Sequence, residues 1–259
     1  MSLLRVLTKR KILIIALISS LFSFNLSAET TNVSLQHVKL DFNNKASLQR
    51  GVKYFVNYCS GCHSMSYLRY NRMAKDLGIT DDDGVVLKDL VKAHLMFNTD
   101  KISEHMDSSI SKTDAKTWFG VVPPDLTMST RSRSPDWVYT YLKSFYNDPS
   151  RTWGVNNLLF KDVAMPHVLA NLQGEQELSY SESYGSAHKQ AGELKIVKEG
   201  LLTEKEYDQM VTDIVNFMNY AAEPMKDQRI HIGIGVLLFL GILLVLVYML
   251  KREYWKDIH

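Results

Sequence analysis

Apolar residues recur at three- and four-residue intervals in five stretches of this 259-residue chain, and each stretch predicts a helix. In residues 46–58 the stripe is Leu48, Val52 and Phe55, continuing to Cys59, with Gly51 placed where a close helix crossing could use it. Residues 85–96 form a modest amphipathic pattern and 113–119 a shorter one. Ser134 as cap and Pro135 at the first helical position open a fourth helix through Tyr146, with Trp137, Val138, Tyr141, Leu142 and Phe145 on its apolar side. Thr203-Glu204-Lys205-Glu206 is a capping box that launches the fifth, whose stripe of Tyr207, Met210, Val211, Ile214, Phe217 and Met218 suits it to cross the first. Elsewhere the pattern is weaker. Residues 64–72, aromatic and basic in alternation, predict a short helical turn, and 168–178 with 193–202 flank a polar segment and predict a small hairpin-like insertion. Asp81-Asp82-Asp83-Gly84 is a solvated turn, because a calcium loop would need glutamate at its twelfth position, where Lys92 stands.

Two longer apolar runs lie at the ends, the first interrupted by Ser19, Ser20 and Ser23. Arg5, Lys9, Arg10 and Lys11 precede one over residues 12–26, which ends in Ser27-Ala28. At about 15 residues it is shorter than the roughly 20 needed to span a bilayer, so residues 1–28 are expected to be a signal peptide cleaved after Ala28. The second run, residues 232–250 within an expected span of 230–250, carries no charge. At 1.5 Å per residue it covers about 30 Å, one hydrocarbon thickness. Tyr248, Lys251, Arg252, Tyr254 and Trp255 close it as an interfacial belt with a basic side. The expected order is therefore leader, exported domain 29–225, anchor, and a cytoplasmic tail 251–259. Removing the leader takes Lys+Arg from 30 to 26 against 28 Asp+Glu, a balance of −2. That near-neutral charge offers no nucleic-acid surface.

The candidate chemistry sits where the first helix ends. Cys59-Ser60-Gly61-Cys62-His63 is the form of a covalent c-type haem site: each thiol can add to one vinyl group and the adjacent imidazole can reach the iron. These are the only two cysteines, so neither a structural disulfide elsewhere nor a four-cysteine zinc site competes for them. A thioredoxin-like pair would follow a buried strand, whereas a helical stripe leads into this one. A disulfide between Cys59 and Cys62 would close a small strained loop and leave His63 without a role.

A sixth iron ligand must come from a loop remote in sequence. Met165 stands out among eleven methionines because Pro166 stiffens its loop, with His167 as the nearest rival. Met96, Met106 and Met128 lie closer to the first ligand or in periodic segments, where methionine usually fills a core. Pro123-Pro124 fixes an extended backbone suited to walling a haem edge, and Arg131 and Arg133 carry fixed charges suited either to haem propionates or to solvent at a helix entrance.

Together these parts resemble the cytochrome c1 family, the haem-bearing subunits of ubiquinol-cytochrome c reductase, in the form found in proteobacteria. The likeness is carried by residues 46–58 with Cys59-Ser60-Gly61-Cys62-His63-Ser64-Met65, by Pro123-Pro124-Asp125-Leu126 with Arg133 eight residues after Asp125, by Ala164-Met165-Pro166, and by Ala221-Ala222-Glu223-Pro224 running into the anchor. The resemblance implies a mainly α, class I cytochrome c-like haem domain with insertions plus one C-terminal transmembrane helix. It implies one covalently attached haem c on Cys59 and Cys62, His63 and Met165 as axial ligands to the metal, Pro124 at the haem edge, Arg133 as propionate partner and Trp137 near the haem. The partners it implies are cytochrome b, the Rieske iron-sulfur protein and cytochrome c as acceptor, in a multi-subunit, dimeric complex of the bacterial inner membrane. The haem domain would face the periplasm, and the chain would carry electrons with no quinol chemistry of its own. The alternative from another class is a tethered monohaem sensor or peroxidase-like protein whose sixth iron position is open, with a thiol oxidoreductase third.

Overall fold

The computed structural model describes residues 33–179 and 193–256. The leader, the middle of the insertion and the last three residues lie outside that range, and all but the first described residue belong to one compact unit, Ser34–His259. In chain order the elements are α1 Lys45–Tyr58, β1 Met65–Arg69, α2 Tyr70–Asp76, α3 Lys88–Leu95, β2 His105–Met106, α4 Lys112–Phe119, α5 Ser129–Arg133, α6 Pro135–Lys143, β3 Phe145–Asn147, β4 Val155–Asn157, α7 Ala170–Gln173, β5 Gly174–Leu178, β6 Leu194–Glu199, α8 Glu204–Ala222 and α9 Lys226–Tyr254. The fold is mainly helical, and among the described residues the strands form three two-stranded antiparallel ribbons, β1 with β2, β3 with β4 and β5 with β6.

The core is built on the crossing of α1 and α8. Leu48, Val52, Phe55 and Val56 of α1 are buried against Met210, Ile214, Phe217 and Met218 of α8, with Phe55 and Phe217 ring centroids 5.7 Å apart. Gly51 permits the approach: a Cβ there would run into the Asp213 carbonyl and lie 2.7 Å from Phe217 Cβ, closer than packed atoms come. Beside it the buried Asp213 carboxylate accepts from Ser47 Oγ at 2.7 Å and from Arg50 Nε at 2.7 Å and Nη2 at 3.0 Å. That satisfaction lets a charged group sit inside the helix pair. Thr203 caps α8 in the expected box, its hydroxyl accepting from Glu206 N while the Glu206 carboxylate accepts from Thr203 N at 2.9 Å.

Four sequence expectations are corrected. Residues 64–72 are not a helical turn: Met65–Arg69 is a strand with Met65 and Leu68 buried, paired with His105–Met106, and helix begins only at Tyr70. The pattern expected over 85–96 becomes helical only at Lys88, because Val86 bridges back to Thr80 across a turn in which Asp81 Oδ1 accepts from Asp83 N and Val85 N. The helix opened by Ser134 and Pro135 stops at Lys143 rather than Tyr146, and Phe145–Asn147 leaves it as a strand pairing with Val155–Asn157. There the Ser144 hydroxyl donates back to Thr140 O at 2.7 Å while Gln176 Nε2 takes the Phe145 carbonyl at 2.8 Å. The insertion is a hairpin as expected, but its first strand starts at Gly174, after the short helix α7.

At the far end α9 runs on almost directly from α8, after Glu223, Pro224 and Met225. Among the described residues it alone is long and apolar enough to cross a membrane, over Gln228–Tyr254, and its side chains are exposed along that length. Glu223 and Arg229 pair at 2.6 Å, and Lys226 lies 4.4 Å from the Phe42 ring centroid.

Candidate haem site

The Cys59–His63 loop continues the end of α1. Cys59 N and Ser60 N both donate to Phe55 O, and Cys62 N and His63 N donate to Cys59 O at 3.0 and 2.8 Å, so a tight turn holds both thiols and the imidazole together. Both cysteines are free and half-buried. Burial pushes the Cys59 thiol up to about 12, with Cys62 adding to the effect, and raises Cys62 as well. A redox-active thiol pair needs the opposite shift, toward thiolate, so this environment speaks against the thiol oxidoreductase reading.

His63 is oriented from outside the loop. Its Nδ1 donates to the Pro124 carbonyl at 2.8 Å, which fixes the proton on Nδ1 and leaves the Nε2 lone pair for a metal. Burial lowers the imidazole pKa, against the pull of Pro124 and of Asp125, which favours the neutral ring that ligation requires. The double-proline segment that supplies the carbonyl is itself pinned. Leu126 N donates to Ser64 O at 2.9 Å, and the Asp125 carboxylate accepts from Ser66 N at 2.8 Å and Thr127 N at 2.9 Å. Burial tends to raise Asp125, yet the hydrogen bonds from Thr127 and Ser66 together hold it below the usual carboxylate range.

The remaining expected residues gather along α6. Arg133, exposed at the end of α5, places its guanidinium 5.1 Å from the Trp137 ring centroid, and Trp137 stacks on Tyr141 at 5.1 Å and 10°. Tyr141 in turn donates its hydroxyl to Met165 Sδ at 3.5 Å. The rival His167 stacks on Phe145 at 4.8 Å and 2°. Burial takes its pKa down to about 4; Gln173 opposes this from nearby, although neither His167 Nε2 nor Gln173 Oε1 completes a hydrogen bond of good geometry. The structure thus joins Cys59, Cys62, His63 and Pro124 in one group, and Arg133, Trp137 and Met165 in another through Tyr141. Tyr141 and Phe145 are the residues that sequence reasoning missed. Both read as ordinary members of an apolar stripe, and only their spacing of four was a signal.

These residues fit a haem by their chemistry. Two protonated thiols, an imidazole with a free Nε2 and a half-buried thioether are the donor set, and the segments around them expose apolar side chains (Val121, Val122, Phe160, Val168) that a flat apolar group would cover. Residues 36–258 match the cytochrome C1 family. The chain belongs to the cytochrome c1 family. The cytochrome c1 of Allochromatium vinosum is 54% identical over 230 residues, 87% of this chain and 90% of that one. A protein of Nitrosomonas europaea named ammonia monooxygenase gamma subunit is 43% identical over 249 residues, 96% of this chain and 98% of its own. A solved chain titled hyperthermophilic respiratory Complex III aligns over 97% of this chain and 99% of its own at 15% identity and a TM-score of 0.39, too slight a likeness to bear on function. Membership in the cytochrome c1 family implies a c-type haem, and the apolar α9 fits its membrane anchor.

Proposed function

We propose that this chain is the membrane-anchored electron carrier of a ubiquinol-cytochrome c reductase, taking electrons from a Rieske iron-sulfur protein and passing them to cytochrome c. The observation that carries the reading is the His63 imidazole, held by the Pro124 carbonyl immediately after the Cys59 and Cys62 thiols. A bound haem c would supply a one-electron ferric–ferrous couple. Cys59 and Cys62 would attach it through thioether bonds, His63 Nε2 and Met165 Sδ would be its axial ligands, and Pro124 would line its edge. Arg133 would neutralise a propionate from its seat over Trp137. The Tyr141 hydroxyl on the Met165 sulfur supports a filled sixth position over the sensor-like alternative with an open one.

In this reading the leader exports the head to the periplasm, and α9 holds it at the inner membrane beside cytochrome b, within a multi-subunit, dimeric complex. Tethering raises the partner's effective concentration, to the millimolar range for short links. A second reading, carried by the name of the Nitrosomonas relative, is a subunit of an ammonia-oxidising enzyme. Membranes lacking this chain decide between them: the full-length, haem-loaded chain is expected to restore quinol-driven reduction of cytochrome c. Assembly of the loaded chain into those membranes without restored reduction would overturn the reductase assignment.

A further inference from the structure

The loop of residues 161–167 is gripped at two points by residues four apart. Tyr141 reaches the sulfur of Met165, and Phe145 carries the ring of His167 face to face. Tyr141 and Phe145 also touch each other, edge to face at 5.2 Å and 71°. With Pro166 between Met165 and His167, the contacts close a ring: Met165 to Tyr141, Tyr141 to Phe145, Phe145 to His167, and back through one proline whose φ is fixed. Phe145 is fully buried, whereas Met165 and His167 are half-buried, so the fixed side of the ring is the α6–β3 side. Because the helix breaks at Ser144, Phe145 enters β3 with its carbonyl held by Gln176, and its ring becomes a platform for the loop.

We propose that Tyr141 and Phe145 are positioning residues for the sixth ligand: Phe145 holds the loop through the His167 ring, and Tyr141 sets the sulfur's orientation and its strength as a donor. The proposal rests on the reading of Met165 as the axial ligand. A thioether sulfur has two lone pairs, and with one occupied by the Tyr141 hydrogen bond the other is aimed. The same bond draws electron density from the sulfur. Ferric iron gains most from that density, so the bond favours the ferrous form and raises the reduction potential, as hydrogen bonding around a ligand does generally. His167 then acts by stacking on Phe145 rather than through its ring nitrogens.

The test uses the full-length, haem-loaded protein in detergent, with covalent haem staining to confirm loading. Tyr141→Phe keeps the ring in its stack and removes only the hydroxyl. The haem should stay six-coordinate while the ferric-to-ferrous ratio at fixed ambient potential rises by up to about tenfold, which for one electron is 59 mV. Phe145→Leu and His167→Ala should let carbon monoxide bind the ferrous protein, and His167→Phe, which restores the stack, should close the site again. Met165→Leu, expected to open the site fully, separates the two ideas. If it opens the site while Tyr141→Phe leaves the potential unchanged and Phe145→Leu stays inert to carbon monoxide, the ligand stands and the positioning proposal falls. If Met165→Leu itself remains six-coordinate and inert, the ligand assignment fails and the proposal with it. Should Phe145→Leu not fold, the potential of Tyr141→Phe decides alone.

Discussion

Replacing Gly51 with alanine tests the crossing on which the head is built. In isolation the change favours the folded helix, since alanine is better than glycine in a helix interior by about 0.8–1.0 kcal/mol. The structure predicts the opposite sign overall. The added methyl would collide with the Asp213 carbonyl and stand 2.7 Å from Phe217 Cβ and 2.9 Å from the Asp213 carbonyl carbon. Two of these three obstacles are backbone of α8, so the helices must part rather than a side chain turn aside. Overpacking of this kind costs about 1–3 kcal/mol, and parting the helices also stretches the Arg50–Asp213 bonds of 2.7 and 3.0 Å and loosens the Phe55–Phe217 contact. Taking the upper half of that range, adding about 1 kcal/mol for a weakened buried hydrogen bond and subtracting the helix gain leaves a net loss of about 2–3 kcal/mol. For a domain of this size that corresponds to a fall in Tm of about 4–12 °C. The assay is thermal melting of the haem-loaded protein followed by circular dichroism. A Gly51→Ala protein melting at or above the parent would refute the reasoning.

Three further outcomes are expected. Thr203→Ala removes the cap of α8 and should cost about 1 kcal/mol, read as a lower urea midpoint with unchanged slope. Asp125 is held below its ordinary pKa in the folded chain, so the stability it contributes is present above the unfolded carboxylate value, about 3.9, and is lost as pH falls through the lower folded value. The stability difference between parent and Asp125→Asn, measured by denaturant unfolding, should therefore hold from neutral pH down to about pH 5 and shrink as pH falls further. A chain ending after Pro224 should export, bind haem and accept electrons from a chemical reductant, because α8 already closes the core. It should fail to restore quinol-driven cytochrome c reduction in membranes lacking the full chain.

What the sequence disclosed follows from where the determining contacts lie. The helices α1 and α8, the Ser134-Pro135 opening of α6 and the Thr203 box are specified by neighbours three or four residues away, and their boundaries were legible to within a residue or two. Met65–Arg69 was not, because its partner, His105–Met106, lies some forty residues on and is only two residues long. Phe145 misled for a related reason: its spacing from Tyr141 is helical, but Ser144 and the pairing with Val155–Asn157 take it out of the helix. At the site, Cys59, Cys62 and His63 were legible as a motif. Pro124 was legible as a stiff wall, but not as the source of the carbonyl that orients His63, since a backbone acceptor leaves no mark in the sequence. Met165 was favoured over His167 in the sequence through Pro166 and the family resemblance, whereas the Tyr141 contact to one and the Phe145 contact to the other left no mark there.

The central claim, that Cys59 and Cys62 carry a covalent haem in this chain, is tested most directly by haem staining after denaturing electrophoresis. The parent protein, expressed with haem-attachment machinery, should stain at the mass of the mature chain, each single cysteine variant should lose most of the signal, and Cys59→Ala with Cys62→Ala should lose all of it, because haem held only through the iron departs when the fold does. Undiminished staining of the double variant would contradict the account.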